Sequence, residues 1–237
     1  MNWYKTRKFA DGIWEDLEEY GPGGKSQPMS HEIEKYKERN PDCTEEDIIS
    51  FKEMLKKEPK EPNSHYGIHE WGRRDDFVKE YGWSVPSKKA IEKIKGFVGN
   101  DSIVEVGSGY GLWAKLLKDE GINIIATDAF REEDKNFVPN DTRYIDIENL
   151  NNEEAMEKYG DYSVLMMSWP PYHNSMSYDT ISKFKGHKFI YIGEGYGGCT
   201  GGQDFHDALN REWGIVEEIC IPQWSGLHDN LVFYQRK

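Results

Sequence analysis

Two short stretches carry residue types able to do chemistry. The first is "SIVEVGSGYGLWAKLL", residues 102–117, where Gly107, Gly109 and Gly111 stand between an apolar run and a helical pattern. Glycine is needed where a backbone turns sharply and approaches a ligand closely, and the N-terminus of the following helix offers free N–H groups to an anion such as a carboxylate. A second apolar run, "NIIATD", ends on Asp128, 21 positions after Gly107. An acid at the tip of a second strand is placed to hydrogen-bond a ribose diol. The two features together imply a ligand that contains a nucleoside.

The other stretch is "YSVLMMSWPPYHNS", residues 162–175, whose apolar run stops on Ser168-Trp169-Pro170-Pro171-Tyr172. Two readings stand. In one the prolines stiffen a turn and Trp169 packs in the core; in the other the corner is the wall of a substrate site. Further constellations are weaker. His65 and His69 are four apart, but no carboxylate or third histidine completes a metal triad. Cys199 lies in a glycine-rich loop with no helix dipole or histidine partner to activate it. "GPGGKS" (21–26) is not a phosphate loop, because Glu19 stands where its first glycine belongs and no strand precedes it.

These residues need elements to hold them. From Val85 onward helix and strand patterns alternate: "SKKAIEKIKGFV" reads as a helix, "SIVEVG" a strand, "LWAKLLKDEG" a helix, "NIIATD" and "TRYIDI" strands, and "NNEEAMEKYG" a helix. "YSVLMMSW", "HKFIYIGE", "GIVEEICIP" and "NLVFYQRK" complete the strands, with "SYDTISKFKG" and "DFHDALNREW" as helices among them. Continuous apolar strands separated by helices predict an α/β fold with a mostly parallel, doubly wound, seven-stranded sheet. The last two strands are joined by "QWSGLHD" without a helix, which makes them an antiparallel pair. Residues 1–85 are charged and studded with Trp and Tyr; they are expected to form an arm and a small helical lobe, with helices starting near Ser30 and Thr44. The sheet domain is expected to span 86–237.

The pattern resembles the class I S-adenosylmethionine-dependent methyltransferases. "VEVGSGYG" is similar to their first motif, "ATD" to their ribose-binding acid and "YIDI" to their third-strand acid, and the antiparallel terminal pair is the Rossmann-like topology that the resemblance implies. It implies S-adenosylmethionine as cofactor, with Glu105, Gly107, Ser108, Gly109 and Gly111 around its methionine part, Asp128 at the ribose, and Ala129, Asp146 and Ile147 beside the adenine. The Ser168–Tyr172 corner resembles the (Asp/Asn/Ser)-Pro-Pro-(Tyr/Phe/Trp) motif of enzymes that methylate amino nitrogens. An oxygen side chain and a proline-fixed carbonyl accept the N–H bonds of a nitrogen that becomes positive as the methyl transfers, and an aromatic stacks on a planar acceptor. Trp169 interrupts that motif. One register loses the polar acceptor and the other displaces the aromatic.

The set "YGWSVPS", "VEVGSGYGLWAKLL", "SWPPY", "KFIYIGEGYGGCT" and "FHDALNREW" also resembles a group of methyltransferase-like proteins of microbes and fungi. It draws attention to Trp83, Ser84 and Pro86 before the sheet and to Glu194 after the fifth strand. Trp83 either roofs the donor or anchors the helical lobe, and Glu194 either serves the acceptor or caps its own loop. The catalytic expectation therefore rests on Ser168, Pro170, Tyr172 and Glu194, and the donor expectation adds Trp83.

Thirty Lys and Arg against 43 Asp and Glu give a net charge of −13, which repels polyphosphate and argues against nonspecific nucleic-acid binding. A small-molecule or nucleobase acceptor is the expected partner. Three widely spaced cysteines without a Cys-x-x-Cys, and the absence of a signal-peptide or spanning pattern, lead to the expectation of a soluble, cytoplasmic protein. Two other readings remain: a donor-binding module that has lost catalysis, and a nicotinamide-dinucleotide oxidoreductase. The second meets Leu112 where its third fingerprint glycine would stand.

Overall fold

The computed structural model describes residues 14, 17, 37, 44, 45, 74, 75, 77–129, 143–224 and 226–237. The expected helices after Ser30 and Thr44, the pair His65 and His69, and Cys43 lie almost wholly outside these. Seven strands form one sheet: β1 (Ile103–Val106), β2 (Ile124–Asp128), β3 (Ile147–Asn149), β4 (Val164–Ser168), β5 (Lys188–Gly193), β6 (Trp213–Cys220) and β7 (Asn230–Arg236). Their order is β3-β2-β1-β4-β5-β7-β6. All neighbours are parallel except β7, which runs antiparallel to both β5 and β6. This is a Rossmann-like α/β sheet with an antiparallel end.

Among the described residues, the helices that cover it include α1 (Lys88–Val98), α2 (Leu112–Asp119), α3 (Asn152–Tyr159), α4 (Met176–Lys183) and α5 (Gln203–Glu212). The period of two along each strand divides the core. Ile103, Ile124, Ala126, Val164, Met166, Ile190 and Ile192 face α1 and α2, whereas Val104, Val106, Leu165, Met167, Phe189 and Tyr191 face α3, α4 and α5. Because both faces are covered, the central strands read as near-continuous apolar runs, interrupted in β1 by Glu105.

Local signals set the helix ends. Ser87 caps α1 by accepting from the Ala90 N–H at 3.2 Å. Asn151 and Glu154 form a capping box at α3, where the Asn151 side chain accepts from Glu153 and Glu154 and the Glu154 side chain accepts from the Asn151 N–H. Helix α5 runs into β6 with no intervening loop, Trp213 being the first residue of the strand.

The third strand differs from its expected extent. It begins at Ile147 and ends at Asn149, so Asp146 precedes the strand instead of lying within it. Long-range contacts decide this. The Tyr144 N–H donates to the Tyr110 carbonyl at 2.9 Å and the Tyr144 hydroxyl to the Glu80 carbonyl at 3.0 Å, which draws residues 143–146 across the glycine loop.

Trp14 and Leu17 are helical. Leu17 is buried with Phe77, Val85, Ile91 and Ile94, and Trp14 packs against the same cluster, so these two residues contribute to the sheet domain's core. At the far edge, β6 is largely exposed, with a bulge between Ile215 and Glu217. No helix among the described residues is long and apolar enough to cross a membrane.

Candidate functional site

The carboxyl ends of β1, β2 and β4 meet at one edge, where a doubly wound sheet holds its ligands. Gly107, Gly109 and Gly111 have φ values of 74°, 55° and 76°, all in the left-handed region that favours glycine. A Cβ at Gly111 would lie 2.6 Å from Ile145 Cγ2, whereas one at Gly109 would meet open space. The loop is tied down at its base and bare at its crest: the Gly107 and Ser108 N–H groups donate to the Thr127 carbonyl at 2.9 and 3.0 Å.

Two carboxylates flank the loop. Asp128, at the end of β2, accepts the Gly109 N–H at 2.7 Å. Glu105, in β1, is 1% exposed, and its Oε2 has no hydrogen-bond partner. Burial, with a smaller contribution from the Asp128 charge, pushes the Glu105 carboxyl up to about 8. The Ser108 hydroxyl is likewise buried without a partner. Unsatisfied buried groups beside a bare glycine crest fit a ligand that brings its own polar atoms. Among the residues expected beside an adenine, Ala129 follows Asp128 and is half-buried, Ile147 packs behind Gly111, and Asp146 is exposed.

β4 pairs with β1 through Glu105 and Met166, so its end continues next to the glycine loop. The Ser168 hydroxyl is 2.6 Å from the Ser84 hydroxyl, which in turn accepts the Trp113 indole N–H at 2.8 Å. The segment before α1 is thus fastened to β4 and α2. Trp169 has a φ of 53°, the sole non-glycine residue with positive φ among those described. Its N–H donates to the Ile192 carbonyl at 2.8 Å, and its ring stacks on Trp83 with centroids 5.2 Å apart and planes 14° from parallel. The Arg74 guanidinium lies 5.1 and 5.2 Å from the centroids of Trp83 and Trp169. Trp83 is therefore brought to the Trp169 corner, and 40% of it remains exposed. Pro170 is buried, and its carbonyl accepts the Gly201 N–H at 2.9 Å. Tyr172 is 45% exposed and meets His173 edge-on.

No family model and no curated protein matches the chain. Similar solved structures include a protein of the NADB-Rossmann superfamily from Streptococcus agalactiae, 12% identical with a TM-score of 0.43 over 65% of this chain and 70% of that one. A ribosomal protein L11 methylase from Lactobacillus delbrueckii subsp. bulgaricus is 14% identical, with a TM-score of 0.42 over 72% of this chain and 81% of that one. A TehB-like SAM-dependent methyltransferase from Corynebacterium glutamicum is 15% identical, with a TM-score of 0.42 over 70% of this chain and 96% of that one. Likeness at this level carries no functional argument. The fold assignment rests on the strand order and the functional reading on the residues.

Glu194, just after β5, is 6% exposed and holds its surroundings together. One carboxylate oxygen accepts the Cys199 N–H at 2.7 Å and the other the His228 N–H at 2.9 Å. Burial raises its pKa, but the Cys199 thiol and those two N–H groups outweigh burial, leaving it below the usual carboxylate range. Of the two roles open to Glu194, these bonds match the capping of its own loop. The same environment pushes the Cys199 thiol up to about 12, chiefly through burial and then through its bond to Glu194, which leaves it a poor nucleophile at neutral pH.

Asp229 was not among the expected site residues. It is 1% exposed, immediately before β7, and because β7 is antiparallel its start lies at the carboxyl end of β5, where Asn230 pairs with Gly193. The signal was topological: an antiparallel last strand brings its first residues to the ligand edge.

Proposed function

We propose that this chain binds S-adenosylmethionine and transfers its methyl group to an amino nitrogen of a nucleobase or small molecule. The observation that carries the reading is the glycine loop, bare at Gly109, bonded to Asp128 and backed by the unpartnered Glu105 carboxyl. In this reading Asp128 receives the ribose diol, the amide N–H groups at the start of α2 receive the carboxylate, and Glu105 faces the ammonium group. S-adenosylmethionine supplies an electrophilic methyl on sulfur; the protein supplies orientation, with reacting atoms held about 3–3.5 Å apart. Ser168 and Pro170, next to the loop, supply the oxygens that accept the acceptor's N–H bonds, and Tyr172 the face for a planar ring.

Calorimetry with S-adenosylmethionine and S-adenosylhomocysteine tests the donor, and no binding of either overturns the reading. Asp128→Ala is expected to weaken donor affinity at least about tenfold, the loss of a charged hydrogen bond. A labelled-methyl screen over DNA, RNA, protein and metabolite pools then identifies the acceptor.

A second reading has its own support. The Ser168 hydroxyl is bonded to Ser84, the Pro170 carbonyl to Gly201, and Trp169 stacks on Trp83 beside them. A donor-binding module without catalysis would have such a filled corner. It predicts donor binding with no methyl transfer to any pool.

A further inference from the structure

We propose that Asp229 and the Trp169 indole N–H form a donor–acceptor pair that reads the edge of a neutral planar acceptor, one carrying an amino group next to a ring nitrogen or a carbonyl. This deepens the methyltransferase reading and rests on it. Asp229 Oδ1 and Trp169 Nε1 are both buried without a hydrogen-bond partner. Burial raises the Asp229 carboxyl and the neighbouring Trp169 indole draws it part of the way back, so the two lie close together, yet Asp229 Oδ1 and Trp169 Nε1 each lack a partner in hydrogen-bond geometry. A buried unpaired donor and a buried unpaired acceptor at one place are costly to maintain, and such groups are rare in folded proteins.

Backbone strain marks the same spot. Trp169 holds a φ of 53°, a left-handed backbone that a bulky residue rarely adopts. The strain aims the ring back under Trp83 and Arg74, whereas the preceding Ser168 points to Ser84. An acceptor amino group donating to Asp229 Oδ1, with its neighbouring nitrogen or carbonyl accepting from Trp169 Nε1, would satisfy both orphans at once. Trp83 is the exposed member of the stack, so it gives way to admit the ligand.

Charge selects the class. The titratable groups facing Asp229 are Glu194, Arg74 and His228, with the Cys199 thiol and the Tyr191 hydroxyl, both held neutral by burial, beside them. The Arg74 guanidinium already lies against both indoles, so a cationic ligand has no vacancy there, and two carboxylates repel a phosphate. What fits is neutral and flat. Two sources carry this edge: an aminated nucleobase, and a primary carboxamide.

The test uses full-length protein labelled with 15N-tryptophan, saturated with S-adenosylhomocysteine and titrated with adenosine, cytidine, nicotinamide or purine riboside, which lacks the amino group. The Trp169 indole resonance, assigned by its loss in Trp169→Phe, is expected to shift with adenosine and cytidine or with nicotinamide, and not with purine riboside. Which probe moves it distinguishes the two sources. Asp229→Ala is expected to weaken the effective probe about tenfold, as for one charge-assisted hydrogen bond, while S-adenosylhomocysteine affinity stays within about twofold. Affinity should also fall as the pH drops through about 6, where burial has raised the Asp229 carboxyl. If Asp229→Ala does not fold, Trp169→Phe reads the same pair, because it keeps a ring and removes the N–H. The proposal is overturned if no probe moves the indole resonance, if purine riboside moves it, or if both variants keep full affinity for the effective probe. Failure of wild-type protein to bind S-adenosylhomocysteine sinks the donor reading instead, and the probe titration without it still tests the pair.

Discussion

Glu105 shows how one buried carboxyl couples stability to ligand chemistry. It titrates near 8 in the folded chain and near 4.5 when exposed. Below 4.5 both states hold the proton and folding carries no penalty. Between 4.5 and 8 the unfolded chain releases its proton first, so this group makes stability fall across that window and level off above it. Glu105→Gln should remove that slope, raising the melting temperature at pH 8 more than at pH 4.5; equal shifts at both pH values would contradict it. A cationic amino group placed next to Glu105 would draw its pKa back down. Donor binding near pH 7 should then release a proton, visible as a calorimetric enthalpy that varies with the ionisation enthalpy of the buffer. Glu105 and Asp128 stood out in the sequence as candidates because both sit at fixed offsets from the glycines. Asp229 did not, since nothing in "LHDNLVFY" marks an acid as buried at the same edge until β7 is paired with β5.

At the scale of elements, the helix and strand order was legible from periodicity alone, because both faces of the sheet are covered and the central strands are apolar runs broken in β1 only by Glu105. The third strand was misplaced for the opposite reason. Residues 143–146 are shaped by Tyr110 and Glu80, contacts distant in sequence that no local pattern reports. Gly111 lies between these two cases, being a sequence signal with a tertiary cause. Its φ of 76° and the 2.6 Å approach of Ile145 Cγ2 to a built Cβ leave no room for a side chain. Gly111→Ala should cost about 1–2 kcal/mol in backbone strain alone and also displace Ile145. The expected result is a lower denaturation midpoint with donor affinity reduced further than stability. An alanine variant with unchanged donor affinity would remove the loop from the site.

For the whole molecule, the N-terminal segment matters beyond its own length. Leu17 is 4% exposed within the cluster that backs β1, β2 and β4, so Leu17→Ala should destabilise the sheet domain by about 2–5 kcal/mol, measured by urea unfolding. A loss below about 0.5 kcal/mol would mean the segment is an appendage after all. Trp14 and Leu17, both within the expected arm, reach the core that backs the sheet, a link invisible to composition because two apolar residues in a charged stretch look like any others.

Strand β6 has a consequence for the protein in crowded solution. It is the open border of the sheet, with Ile215 and Val216 mostly exposed, and an exposed apolar border is a template on which another chain can add a strand. The bulge after Ile215 and the acids Glu217 and Glu218 interrupt that template. Replacing both acids with threonine should let copies associate at high concentration, seen as earlier elution and rising light scattering, while the parent chain stays dispersed. The border strand thereby limits strand pairing between copies, and the two acids that guard it are themselves held in place, Glu217 by Lys93 and Glu218 by the Asn230 side chain.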